Sequence, residues 1–149
     1  MESLVGMPYR LFARQVETDT RQALNCFTSV MDALGRVGAS CPKMNFKQGF
    51  AFWWPRGTRL RLGETPIIGK DMLLLTRSHF LLLHTDRNEN GVVDKDDLVI
   101  HAYFRPVEIT TIDAWLRQSP PEEIRFLPVD EAFACPTRAE LDRLYLWRR

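Results

Sequence analysis

A chain of 149 residues, 45 % hydrophobic and 26 % charged, is long enough to bury one core without metal or disulfide support. Its 20 basic and 19 acidic side chains leave a formal net charge of +1, which gives no argument for a nucleic-acid or strongly acidic partner. The start shows no basic-then-apolar leader, and the longest apolar runs, MLLL and FLLL, are far too short to span a bilayer. One domain over residues 1–149 is expected, without nucleic acid or a membrane span, either cytoplasmic or exported by a signal-independent route.

Residues 1–18 are mixed, with a short helix expected near RLFARQV. From Asn25 the pattern sharpens. Phe27, Val30, Met31 and Leu34 fall at i, i+3, i+4 and i+7, one apolar helix face. Asn25 suits the N-cap and Gly35 or Gly38 the stop, so Cys26 belongs to the first turn. Short β-like runs follow, broken by Pro and Gly: FAFWW, TRLRL, DMLLL, HFLLLH, DLVIHAYF and VEITTI. A brief amphipathic segment, IDAWLRQ, precedes the turn SPPEE, and a last helix is expected from Thr137 with Leu141, Leu144 and Tyr145 on one face. Helix, mostly antiparallel strands and closing helix make an α+β domain.

Trp53 and Trp54 are expected to split, one ring in the core and one partly out. The run RGTRLRL reads as a strand with one solvated face. Cys41 and Cys135, each followed by proline, read as structural bystanders, and the sequence does not decide whether they pair.

A thiol in the first turn of a helix has a physical advantage. Unsatisfied backbone N–H groups and the positive helix end favour thiolate over thiol, and can hold an oxyanion after attack on a carbonyl. Such a nucleophile needs an imidazole to move protons and a third group to orient that ring. Three histidines are available: His79, His84 and His101. Strand alternation sets His79 and His84 on opposite sides, and an antiparallel return can bring His101 to the side of His79. His84 reads as a strand residue at the rim of the following loop.

In order along the chain, NCFTSVMDALGRVG, GKDMLLL, SHFLLL, VIHA and PVEITTIDAWL resemble the NlpC-type cysteine peptidases, over roughly residues 20–117. The resemblance implies a papain-like domain with an N-terminal nucleophile helix packed on a mostly antiparallel sheet. It also implies hydrolysis of an amide bond in peptidoglycan stem peptides, of the γ-D-glutamyl–diaminopimelate type. Cys26 then matches the nucleophile, His79 the general base and acid, and His101 the orienting residue. The sequence departs from the family pattern in reading Asn25-Cys26-Phe27 and in placing Phe80 and Leu81 after the base histidine. No tyrosine stands at the family's usual distance upstream of the cysteine; Arg14 lies near that place and Tyr9 further away. Without a leader, such a hydrolase suggests a secretion machine and a cognate inhibitor as partners, or a phage component, or a cytoplasmic enzyme on another amide. The alternative is a non-enzymatic calcium-binding or interaction module on a papain-like scaffold.

Between the two histidine strands stands DRNENGVVDKDD, residues 86–97. It matches a twelve-residue EF-hand-type loop, with ligands expected from Asp86, Asn88, Asn90, the Val92 carbonyl, Asp94 and Asp97. Gly91 falls at position six, and the twelfth residue is Asp rather than Glu. The competing reading is an ordinary solvated hairpin with a type I′ turn at Asn90-Gly91. The flanks read as strands, so a bound Ca2+ here would be structural, stiffening the hairpin rather than entering the chemistry.

Overall fold

The computed structural model describes residues 26–36, 41–69, 71–102, 107–130 and 133–147. The helix expected near RLFARQV and the Asn25 cap lie outside the described residues, as do the side chains of Cys26 and Tyr145.

The apolar stripe of the first segment forms α1 (Cys26–Arg36), and Cys26 is its first residue. Phe27, Val30, Met31 and Leu34 are all buried, so the 3.6-residue period is the packed face. The run FAFWW is not a strand but the end of α2 (Phe46–Trp53). A reciprocal capping box overrides the β-like aromatic composition. Gln48 N–H donates to Asn45 Oδ1 at 2.9 Å, and Asn45 N–H donates to Gln48 Oε1 at 3.0 Å. Buried Gly49, Phe52 and Trp53 then fall at i, i+3 and i+4. Pro55 sits in the 3-10 turn Trp54–Arg56 that ends this helix.

Among the described residues six strands form one sheet: β1 (Thr58–Arg59), β2 (Asp71–Leu75), β3 (Phe80–Thr85), β4 (Leu98–His101), β5 (Glu108–Thr111) and β6 (Arg125–Val129). Their order is β1-β6-β2-β3-β4-β5, with every pairing antiparallel. TRLRL contributes only its first two residues as strand. The unexpected element is β6, RFLPV, which pairs with β2 along its whole length. Its Pro128 is tolerated because β1 reaches only Phe126 and Arg125, leaving the other edge of β6 uncovered at the proline. α3 (Ile112–Gln118) follows β5, capped by Thr111 Oγ1 accepting from Ala114 N–H at 3.1 Å. α4 (Arg138–Trp147) opens on a second capping box, between Thr137 and Glu140.

Alternation divides the sheet into two packed faces. Leu73, Leu75, Phe80 and Leu82 meet α1, α2 and Leu141 of α4. Met72, Leu74, Leu81, Leu83 and Val99 meet Ile112 and Trp115 of α3 and Val93 of the 86–97 loop. The architecture is α+β, as expected. The two tryptophans split as expected: Trp53 is buried and its Nε1–H donates to Ala134 C=O at 3.0 Å, while Trp54 is half-buried against Phe50 and the Arg125 guanidinium. Cys41 and Cys135 are not bystanders. They form a disulfide with Cα atoms 5.0 Å apart, tying the lead-in to α2 to the lead-in to α4 across a separation of 94 residues.

Among the described residues, no helix is long and apolar enough to cross a membrane.

Candidate active site

The turn that joins β2 to β3 sets the first functional group. Leu75 pairs with Phe80, and Thr76 N–H donates to His79 C=O at 2.9 Å, closing the segment Thr76-Arg77-Ser78-His79. His79 therefore occupies the end of a tight turn, just before the strand, rather than a strand interior. Its backbone is held while its ring turns in under α3, 6.1 Å from the Trp115 ring.

His101 ends β4. Leu83 pairs with Val99, so alternation places His101 on the same face as Val99 and Leu83, the face covered by α3. The two rings meet there: His79 Nε2 and His101 Nδ1 are 2.8 Å apart with the ring planes at 83°. Both side chains are buried, His79 to 3 % exposure and His101 to 0 %. The expected convergence of His79 and His101 is thus present in the fold, whereas His84 is apart from it, hydrogen-bonded to Thr85 at the loop rim.

One residue that the sequence reading did not single out completes the arrangement. Glu108 lies directly across from His101 in the β4–β5 register, with its Oε1 3.3 Å from His101 Nε2. The signal for it was the register of the VEITTI strand, which residue spacing alone does not supply.

Burial keeps both rings neutral. Desolvation, and secondarily the neighbouring His101, lower the His79 pKa from 6.5 to about 3. His101 is also lowered by burial, with the Glu108 carboxylate pulling in the opposite direction. Both imidazoles are therefore uncharged at neutral pH, the form able to accept a proton.

Beside His79 opens a cavity of about 340 Å³, lined also by Arg77, Trp115, Glu122 and Glu123. It is large enough for a short peptide segment. α1 packs on the other face of the sheet, and its first turn reaches the same end of β3: the Phe27 and Phe80 rings are 5.2 Å apart. Cys26 and His79 are the chain neighbours of these two phenylalanines. The position of the Cys26 sulfur lies outside the described residues.

The 86–97 loop occupies the β3–β4 connection, as expected. Gly91 has φ 77°, which favours glycine at that position, and its N–H donates to Asp86 Oδ2 at 2.8 Å. Among the described non-glycine residues only Glu89 has positive φ, so Asn90-Gly91 is not the type I′ turn of a plain hairpin. Asp97 is fully buried, its two oxygens accepting from Arg87 N–H and Asp94 N–H at 3.1 and 2.9 Å. Burial raises its pKa against those two bonds. Asn88 and Asn90 both turn amide N–H groups toward Asp94 Oδ2, at 2.8 and 2.7 Å, and the Asn88 bond leads in lowering the Asp94 pKa. Asp86 Oδ1 is buried with no hydrogen-bond partner among the described residues. In this arrangement no group of three or more His, Cys, Asp or Glu side chains converges on a common point among the described residues. Compared with protein-family models, characterised proteins and solved structures, the chain matches none.

Proposed function

We propose that this protein is a papain-like cysteine hydrolase of the NlpC type that cleaves an amide bond, with peptidoglycan stem peptides as the substrate class. The observation that carries the reading is the buried, neutral His79–His101 pair, 2.8 Å apart, beside a cavity and at the sheet end that the first turn of α1 reaches. A histidine pair sealed under a tryptophan is an expensive way to fill a core, because each ring gives up hydration that has to be made good by the few polar groups around it.

In this mechanism the Cys26 thiol passes its proton to His79 and the sulfur attacks the scissile carbonyl, with helix-end N–H groups holding the oxyanion. His79 returns the proton to the leaving amine, and water, deprotonated by the same ring, releases the acid from the thioester. His101 orients His79. The Cys41–Cys135 disulfide supports work in an oxidising compartment such as the bacterial envelope.

Digestion of purified muropeptides by the wild type and by Cys26→Ala tests the reading. New amino termini should appear with the wild type alone, and no cleavage by either protein overturns it. Iodoacetamide labelling provides a substrate-free check. Cys41 and Cys135 are joined to each other, so Cys26 is the cysteine to label, and an activated thiolate reacts well above the rate of an ordinary thiol at neutral pH.

A second observation favours calcium in the 86–97 loop. The buried Oδ1 of Asp86 has no hydrogen-bond partner among the described residues, and the surrounding donors are the hard oxygens that Ca2+ prefers. Asp86, Asn88, Asn90, the Val92 carbonyl, Asp94 and Asp97 would hold it, the two asparagines turning their amide oxygens inward. The ion would be structural. A protein whose Cys26 labels no faster than a free thiol, yet binds calcium, would be a binding module rather than a hydrolase.

A further inference from the structure

We infer that Glu108 is a positioning residue: its carboxylate fixes the tautomers of the His101–His79 pair so that Nδ1 of His79 carries a lone pair rather than a proton. The role in catalysis rests on the hydrolase reading, whereas the tautomer assignment does not.

Two neutral imidazoles joined by one Nε2–Nδ1 hydrogen bond have two proton arrangements. In one, His79 Nε2–H donates to His101 Nδ1, so His101 carries its own proton on Nε2. In the other, His101 Nδ1–H donates to His79 Nε2, so His101 Nε2 is a bare lone pair and the His79 proton sits on Nδ1. Only the first arrangement leaves His79 able to act as a base through Nδ1. Nothing within the pair itself chooses between them, since the hydrogen bond is equivalent in both.

The choice is made on the far side of His101. Its Nε2 is 3.3 Å from Glu108 Oε1, an ion-pair distance without hydrogen-bond geometry, and the ring is fully buried while the Glu108 side chain is 33 % exposed. An ionised carboxylate meets an N–H favourably and a nitrogen lone pair unfavourably. The negative charge therefore selects His101 Nε2–H, and through the shared bond it selects His79 Nε2–H. The sheet register brings the two side chains to one face for this contact, because His101 and Glu108 are direct cross-strand partners. The other charged groups around His79, Arg77, Glu122 and Glu123, line the cavity and do not reach His101 in the described contacts.

Nitrogen-15 NMR of the histidine rings in the full chain at neutral pH reads the tautomers directly. The wild type should show both rings protonated on Nε2. Glu108→Lys places a donor against His101 Nε2 and should move both protons to Nδ1. Glu108→Gln, nearly isosteric and able to present either amide edge, should give a mixture, and it serves if the lysine variant does not fold. Glu108→Asp keeps the charge and should keep the wild-type pattern. Wild-type protein with a proton on His79 Nδ1, or lysine and glutamine variants with unchanged tautomers, would overturn the inference. Iodoacetamide labelling of Cys26 then separates this from the hydrolase reading. A wrong tautomer should slow labelling by on the order of 10²–10⁴-fold, with aspartate restoring most of the rate. Tautomers that respond as stated while Cys26 labels slowly even in the wild type would sink the hydrolase and leave the positioning role of Glu108 standing.

Discussion

The two faces of the sheet are built from different materials. One is a continuous apolar and aromatic block, in which Phe27, Phe46, Phe50, Trp53 and Phe80 interlock at 5.0–6.4 Å between ring centres and the disulfide closes the far side. The other is thinner, covered by the seven-residue α3 and a polar loop, and it buries two histidines and an aspartate. The first face shows what holds the molecule together. The second shows where buried polarity has been retained at a cost, and groups that weaken a core without a structural return are the ones to examine for chemistry. Perturbing each face in turn should give distinct signatures.

The largest effect is expected from the disulfide. Closing a loop of 94 residues restricts the unfolded chain by about 4–5 kcal/mol in the chain-entropy model. Thermal melts with and without reductant should differ by well over ten degrees, and Cys41→Ser/Cys135→Ser should match the reduced wild type. An unchanged melting temperature would show that the apolar face stands without its staple.

Next is Gly49, on the same face. A methyl group there would run into the Phe27 ring and approach Trp53 Cζ3 at 3.2 Å. Both rings are core residues with no room to retreat. Gly49→Ala should therefore destabilise by about 1–3 kcal/mol despite the higher helix propensity of alanine. Chemical denaturation gives the number, and a stabilised variant would mean that α1 and α2 can slide apart.

Acid should act on the other face. His79 has a folded-state pKa of about 3 against 6.5 unfolded, so the unfolded chain binds the extra proton. Stability is full above pH 6.5 and falls with decreasing pH toward 3, by about 1.4 kcal/mol per unit at the steepest. Carboxylates join below about pH 5, so the clean window lies above that, where roughly 2 kcal/mol should be lost. Urea midpoints across the window should slope in the wild type and lose part of that slope in His79→Gln, the remainder belonging to His101, which burial also holds below its ordinary value. A flat wild-type profile would mean that the ring is charged in the native state.

These regions also differ in how openly the sequence declared them. α1 and the β2–β5 strands were legible because their periods, 3.6 and 2, are local. Cys26 at a helix start and the meeting of His79 with His101 followed from those periods. α2 was misread because FAFWW has strand composition, while the deciding Asn45–Gln48 box lies just upstream. β6 was hidden by Pro128, acceptable only because β1 is too short to need its N–H. The disulfide and Glu108 depend on long-range closure and on register, and neither leaves a periodic trace. What stayed illegible was therefore what the chain decides only once folded.

The smallest effect joins the loop to the histidine face. Residues 86–97 are docked from two sides: Val93 exchanges backbone hydrogen bonds with Gly63 and Thr65, while Ile112 and Asp113 N–H donate to Asp97 and Lys95 C=O. Those last two bonds fix the start of α3, whose Trp115 lies against His79. An ion that neutralises Asp86 Oδ1 would tighten the loop and, through α3, the lid over the imidazoles. At calcium about tenfold above its dissociation constant the gain is about 1.4 kcal/mol, a shift of a few degrees in melting temperature. Calcium added to chelator-treated protein should produce that shift, magnesium should produce less, and Asp86→Asn should abolish the response. If the hydrolase reading also holds, the chelator should lower activity in step with the melting temperature, because the same α3 contacts carry both. A melting curve indifferent to calcium would leave the loop as a self-bonded connection, its Asp86 oxygen compensated by nothing more than water.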